Sequence, residues 1–224
     1  MSWNGKTIVF DLDGTLVDTA PDLHAALQHC FEDAGLEAVD LETVRHAIGH
    51  GAKVMIETSA RLKSITLSDD DVTALHKTFL EYYVGNISVL STPFPGIIEC
   101  LKMCRDNGAY LAVCTNKTQA LAEQVLDELG LAPYFHAVIG ADKASEKKPS
   151  PAHLYESVLL AGGTPAEAVL VGDSTTDARS AAAANIPFIL MTYGYTDDEV
   201  FRQPMASKLD RAGQIIPALQ SIFS

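Results

Sequence analysis

The chain has 224 residues and carries 16 Lys and Arg against 29 Asp and Glu, a formal net charge of −13. Hydrophobic residues make up 47% and charged residues 20%, an ordinary globular composition that excludes a disordered or fibrous chain. So much negative charge gathers neither phosphodiester backbones nor anionic lipid, and no nucleic-acid or membrane partner is expected.

The first six residues, Met-Ser-Trp-Asn-Gly-Lys, lack the basic start and apolar stretch of an export signal, so a cytoplasmic protein is expected. A first apolar run over 7–11 reads as a strand. Thr19 is a candidate N-cap with Pro21 in the first turn, and Leu23, Leu27, Cys30 and Phe31 then recur at helical spacing. Ser68 followed by Asp69-Asp70-Asp71 has the form of a cap and acidic first turn, leading into Val72, Leu75, Phe79, Leu80 and Tyr83. Pro93-Phe94-Pro95-Gly96 punctuates the end of this helical segment.

Further strands are read at 110–115, 137–140, 168–173 and 187–191, with helices over 117–129, 151–161 and 175–184 between them. The alternation predicts an α/β fold, a doubly wound, Rossmann-like parallel sheet with helices on both faces. The gap between the first two strands far exceeds the dozen or so residues a crossover needs, so an inserted all-helical cap is expected. The domain boundaries expected are 1–17 with 92–224 for the core and 18–91 for the cap. The stretch 180–196 is uncharged but broken by Asn185, Pro187 and Gly194, which argues against a membrane span. Cys30, Cys100, Cys104 and Cys114 sit in apolar segments and are expected to be reduced and buried.

In open α/β sheets, ligands bind beyond the carboxyl ends of the strands. Polar clusters stand there: Asp11-Leu12-Asp13-Gly14-Thr15 after the first strand, Thr115-Asn116-Lys117 after the second, Lys147-Lys148-Pro149 after the third and Gly172-Asp173-Ser174-Thr175-Thr176-Asp177 after the fourth. Singly, each has an ordinary reading, Asp11 and Asp173 as turn residues and Lys148 as a solvated charge. Together, three carboxylates and a lysine at adjacent strand ends make a costly cluster that a cation and an anionic substrate would neutralise. Lys147 and Lys117 are read as solvated charges.

These residues resemble the four motifs of the haloacid dehalogenase superfamily of phosphohydrolases. Val9-Phe10-Asp11-Leu12-Asp13-Gly14-Thr15-Leu16 is the first, Thr115 the second, Lys148-Pro149 the third and Gly172-Asp173-Ser174 with Asp177 the fourth. The resemblance implies that Asp11 is the nucleophile that forms an aspartyl-phosphate and that Asp13 serves the leaving oxygen and then the water as acid and base. It implies Mg²⁺ on Asp11, the main-chain carbonyl of Asp13 and Asp173, with Asp177 as an outer or additional acid beside Ser174. Thr115 and the amides near Asn116 would bind phosphoryl oxygens, and Lys148 would offset their charge.

The run from Asp11 to Asp22, Thr115-Asn116-Lys117 and Thr192-Tyr193-Gly194-Tyr195 are similar to the phosphoglycolate phosphatases within that superfamily. Gly49, His50, Gly51 and Lys53 lie where that group's cap presents a substrate-facing loop, although an exposed helix start reads equally well. Asn185 stands where relatives often have Gly, and it too tolerates a left-handed helix end. The expected partner is a small phosphorylated metabolite, and the expected state a monomer or homodimer. Asp13 argues against a dehalogenase or a phosphonatase, whereas a phosphosugar mutase keeps both acids. A regulatory module phosphorylated on a strand-end aspartate would need neither Asp13 nor a cap, and a catalytically silent relative would have lost one of Asp11, Asp13, Lys148 or Asp173.

Overall fold

Short apolar runs bounded by polar residues build the sheet, and amphipathic segments between them build its crossovers. The computed structural model describes residues 2–224, with the side chains of His46 and His50 left out of that description. The elements in chain order are β1 (Thr7–Phe10), β2 (Val17–Asp18), α1 (Ala20–Asp33), α2 (Leu41–Val44), α3 (Ala52–Leu62), α4 (Asp69–Gly85), β3 (Thr92–Pro93), α5 (Ile97–Asp106) and β4 (Tyr110–Cys114). There follow α6 (Gln119–Glu128), β5 (Ala137–Ile139), α7 (Pro151–Leu160), β6 (Ala168–Gly172), α8 (Thr175–Ala184), β7 (Phe188–Met191), β8 (Ser207–Leu209) and α9 (Ile215–Ile222).

Six strands form one sheet in the order β5-β4-β1-β6-β7-β8, all parallel. Counting only these six, this is the 3-2-1-4-5-6 order of doubly wound dinucleotide-type sheets, the fold class expected from the sequence pattern. Strand β1 is central, in register with Tyr110–Val113 on one side and Ala168–Val171 on the other. Val9, Ala112, Cys114, Leu170 and Leu190 share one core cluster with Leu154 and Val158 of α7 and Ala178 and Ala181 of α8. The alternate residues Ile8, Phe10, Leu111, Val113, Val171 and Ile189 are also buried, so both faces are covered.

Four of the five expected strands stop one residue earlier than read, which leaves Asp11, Thr115 and Asp173 as the first loop residues, while the last ends at Met191 as read and begins one residue later, at Phe188. Helix α6 likewise begins at Gln119, because Lys117 stays in the loop ahead of Thr118, its N-cap residue. The sixth strand, β8, is an addition to the five expected. Asn185 ends α8 in the left-handed region, at φ 55° and ψ 35°.

The chain divides into two compact units, one of residues up to 18 together with 93–224 and one of residues 19–92. Strands β2 and β3 form a separate two-stranded sheet. In the helical unit α1 buries Leu23, Leu27, Cys30 and Phe31, and α4 buries Leu75, Phe79 and Tyr83. Ser68 and Asp71 form a reciprocal capping box at the start of α4. Thr19 occupies the cap position of α1 but makes no side-chain cap hydrogen bond, because its backbone is already helical (φ −93°, ψ −4°), whereas a capping residue is extended. Asp22 instead reaches across the unit and accepts from the Leu90 and Ser91 amides at 3.0 and 2.7 Å and from the Ser91 hydroxyl at 2.6 Å. All four cysteines are free and buried, and among the described residues no helix is long and apolar enough to cross a membrane.

Candidate active site

The parallel sheet brings the loops after β1, β4, β5 and β6 to one edge. Asp11 continues the ladder past β1, its amide donating to Val171 at 2.9 Å, so its side chain is placed by the sheet itself. Oδ1 accepts from the Leu12 amide at 2.7 Å and faces the Lys148 ammonium at 3.0 Å. Oδ2 has no protein partner among the described residues, and the side chain keeps 11% of its exposure. One oxygen is anchored and the other is free to meet a ligand.

Lys148 is 2% exposed and also contacts Asp177 at 2.6 Å. Its loop is fixed from below by the buried His153, whose Nδ1 accepts from the Lys148 amide at 3.3 Å while Nε2 faces the Ile139 carbonyl at 3.0 Å. Burial holds the His153 ring below the usual histidine range, and neutral imidazole is the form that can accept at one nitrogen and donate at the other. Asp177 is fully buried and completes a capping box at α8, exchanging hydrogen bonds with Ser174. Asp173 accepts from the Thr15 hydroxyl and the Tyr195 amide, both at 2.7 Å.

Three glycines make room for these acids. Gly14 sits at φ +84°, and a Cβ there would lie 2.4 Å from Asp173 Oδ2; one on Gly194 would lie 2.4 Å from both Asp173 Cβ and the Gly14 carbonyl. A Cβ on Gly172 would lie 2.6 Å from Asp177 Cγ. Side chains at these positions would push the carboxylates apart.

Asp11, Asp173 and Asp177 each offer an oxygen within 4.8 Å of the others. Burial, with help from Asp177, raises the Asp11 carboxyl to about 7 against the pull of Lys148, and burial also lifts Asp173 well above the usual carboxylate range, with Asp11 adding to it. Burial alone would lower the Lys148 ammonium, but Asp11 and Asp177 more than offset it and raise it. Three buried carboxylates against one buried ammonium leave two negative charges, which a divalent cation would balance. The oxygen-only donor set fits a hard metal ion.

Thr115 is buried, with its amide on the Ile139 carbonyl and its hydroxyl oxygen accepting from the Lys117 amide. Asn116 donates from Nδ2 to the Lys148 carbonyl at 3.1 Å, which ties the second and third motif loops together. Its main-chain N–H donates to no described protein acceptor. Burial pushes the Cys114 thiol up to about 12 despite Lys148, so the sulfur beside Thr115 is a neutral core group.

Lys117 departs from its reading as a solvated charge. Its side chain is 5% exposed and its ammonium grips both oxygens of Asp13, at 2.9 and 3.2 Å, because the turn before α6 faces the first loop. Lys147 is exposed, as expected. Thr15 and Tyr195, the groups that hold Asp173, were given no role in the sequence reading although both lie within its motifs. Tyr193 also joins this set, its hydroxyl donating to the Thr15 carbonyl at 2.7 Å.

Gly49, Gly51 and Lys53 belong to the helical unit. Gly51 is the N-cap of α3 at φ +96° and Lys53 is an exposed residue of its first turn, the geometry of a helix start. The side chain of His50 lies outside the described residues.

The sequence profile of haloacid dehalogenase-like hydrolases matches residues 8–191. A protein of Mesorhizobium japonicum named phosphoglycolate phosphatase is 45% identical over 86% of this chain and 85% of its own. One of the same name from Caulobacter vibrioides is 42% identical over 88% and 83%. The crystal structure of a predicted phosphoglycolate phosphatase from Haemophilus somnus 129PT, 29% identical, superposes with a TM-score of 0.88 over 97% of this chain and 98% of that one. With the motif residues gathered at one sheet edge and the profile spanning most of the sequence, the chain belongs to the haloacid dehalogenase-like hydrolase family.

Proposed function

We propose that this protein is a Mg²⁺-dependent phosphomonoesterase that hydrolyses 2-phosphoglycolate to glycolate and phosphate through an aspartyl-phosphate on Asp11. The observation that carries the reading is the Asp11 side chain, with Oδ1 anchored by Leu12 and Lys148 and Oδ2 free, beside two further buried acids. The names of the relatives support the substrate.

Asp11 Oδ2 attacks phosphorus, a P–O bond to the carboxylate forms and the P–O bond to the ester oxygen breaks. Asp13 delivers a proton to that leaving oxygen, giving the alcohol. Asp13 then takes a proton from water as the water oxygen attacks phosphorus, the bond to Asp11 breaks and inorganic phosphate leaves. The Thr115 hydroxyl and the Asn116 N–H bind the transferring oxygens, and Lys148 offsets the charge of Asp11 and of the phosphoryl group. Asp11, the main-chain carbonyl of Asp13 and Asp173 would hold Mg²⁺, which would supply positive charge against the phosphoryl oxygens. Asp177 has Lys148 on one oxygen and Ser174 on the other, which suits it to the outer shell. The glycolate carboxylate is assigned to Gly49, His50, Gly51 and Lys53 on the chemistry of those residues alone.

The test is kcat/KM with Mg²⁺ for 2-phosphoglycolate beside sugar phosphates, nucleotides and pyrophosphate, with Asp11→Asn as control. Highest efficiency on 2-phosphoglycolate and none in the control is expected. A clear preference for another ester overturns the substrate, and no activity above the control on any of them overturns the phosphatase.

A further inference from the structure

Nothing in the reaction as described uses Lys117, yet it is the most thoroughly fixed lysine at the site edge after Lys148. Its amide donates to Thr115 Oγ1 at 3.1 Å, and its carbonyl accepts from the Ala141 amide at 2.9 Å. A Cβ on Gly140 would lie 2.8 Å from that carbonyl, so the β5 loop packs directly on the Lys117 backbone. From this pinned backbone the side chain, almost wholly buried, spans to the loop after β1 and meets both Asp13 oxygens. Burying a lysine tip costs free energy that a solvated one avoids, and here the charge ends on the acid that serves the leaving oxygen. Asp13 lies at the mouth of a tight turn, with Gly14 at positive φ immediately after it.

We propose that Lys117 is a positioning residue that holds the Asp13 carboxyl in the orientation used on the leaving oxygen and then on water. The inference rests on the phosphatase reading above. Lys117 transmits to Asp13 the placement fixed by Thr115, so the phosphoryl-binding residue and the proton-transfer residue share one anchor. A positioning role acts on the proton-transfer step, and that step matters most when the leaving group is poor.

The experiment compares the wild type with Lys117→Met, Lys117→Gln, Lys117→Arg, Asp13→Asn and the Lys117→Met/Asp13→Asn double variant, on 2-phosphoglycolate and on p-nitrophenyl phosphate. The phenolate of the second ester leaves readily without a proton. Lys117→Met and Lys117→Gln are expected to lower kcat on 2-phosphoglycolate by about 100-fold with KM nearly unchanged, and to lose far less on p-nitrophenyl phosphate. Lys117→Arg is expected to recover most of the loss, and the double variant to be no slower than Asp13→Asn. Using two neutral variants keeps the test from hanging on the folding of one. Unchanged kcat, an equal loss on both esters, or losses that multiply in the double variant would overturn the proposal. So would a KM increase confined to 2-phosphoglycolate, which would make Lys117 a contact of the substrate carboxylate. A wild type inactive on both esters would instead remove the phosphatase reading itself.

Discussion

Asp11 is held in a conflict of charge that the residues around it only half resolve. Lys148 sits at 3.0 Å, but burial and Asp177 dominate and bring the carboxyl to about 7. A carboxyl whose folded pKa exceeds its unfolded value of about 4 stabilises the fold when protonated, and that contribution is lost as pH rises through the folded value. In protein stripped of metal by EDTA, Asp11→Asn is therefore expected to be more stable than the wild type at about pH 8, with the gap closing toward about pH 5. Urea unfolding of the two proteins measures this; a wild type more stable than the variant at the higher pH would contradict it. Added Mg²⁺ is expected to reverse the order, since a bound cation would balance the buried acids of the wild type while Asp11→Asn lacks one of the proposed ligands. Asp11 and Asp173 were legible because each stands where an apolar run stops, and Lys148, well past the end of β5, through its place in the Lys-Pro motif. Lys117 was not, because its partner is 104 positions away in sequence and a lysine's side chain carries no mark of where its tip will end. Tyr195 holds Asp173 through a main-chain amide, a contact to which its side chain gives no clue.

At the scale of elements, the five strands with buried apolar runs and the three crossover helices could be read from periodicity, and so could the capping box at Ser68. Strand β8 could not: it has three residues, half-exposed, with Lys208 in the middle, and it lies at the sheet edge where no apolar run is required. Helix α1 was read correctly in place but not in the way it is tied down. Thr19 carries the sequence signature of a cap, whereas the stabilising acceptor is Asp22, one turn in and 2% exposed. Asp22→Ala would leave the Leu90 and Ser91 amides and the Ser91 hydroxyl without their acceptor. With buried unsatisfied donors costing about 1–3 kcal/mol each, a local loss of about 3 kcal/mol is expected. Hydrogen exchange of the Leu90 and Ser91 amides checks this, through faster exchange in the variant; rates equal to those of the wild type would show that Asp22 ties down neither segment.

For the whole molecule, the charge of −13 says little about the site, where the balance is set by a few buried groups. What specifies the chemistry is the order of the sheet, which places residues 11, 115, 148 and 173 at neighbouring strand ends although they are spread across most of the chain. The family follows from that order and from the matched profile, and the proposed reaction rests on the oxygen of Asp11 that no partner among the described residues occupies. The proposed reaction therefore turns on a covalent phosphoryl group at one named atom. Rapid quenching of the enzyme turning over 2-phosphoglycolate with Mg²⁺, followed by borohydride reduction and peptide mass spectrometry, reads it directly, because reduction converts an aspartyl-phosphate to homoserine. Homoserine is expected at position 11 and nowhere else, and none when substrate is omitted. Steady phosphate release with position 11 still aspartate at every quench time, or with the reduced residue elsewhere in the chain, would contradict it.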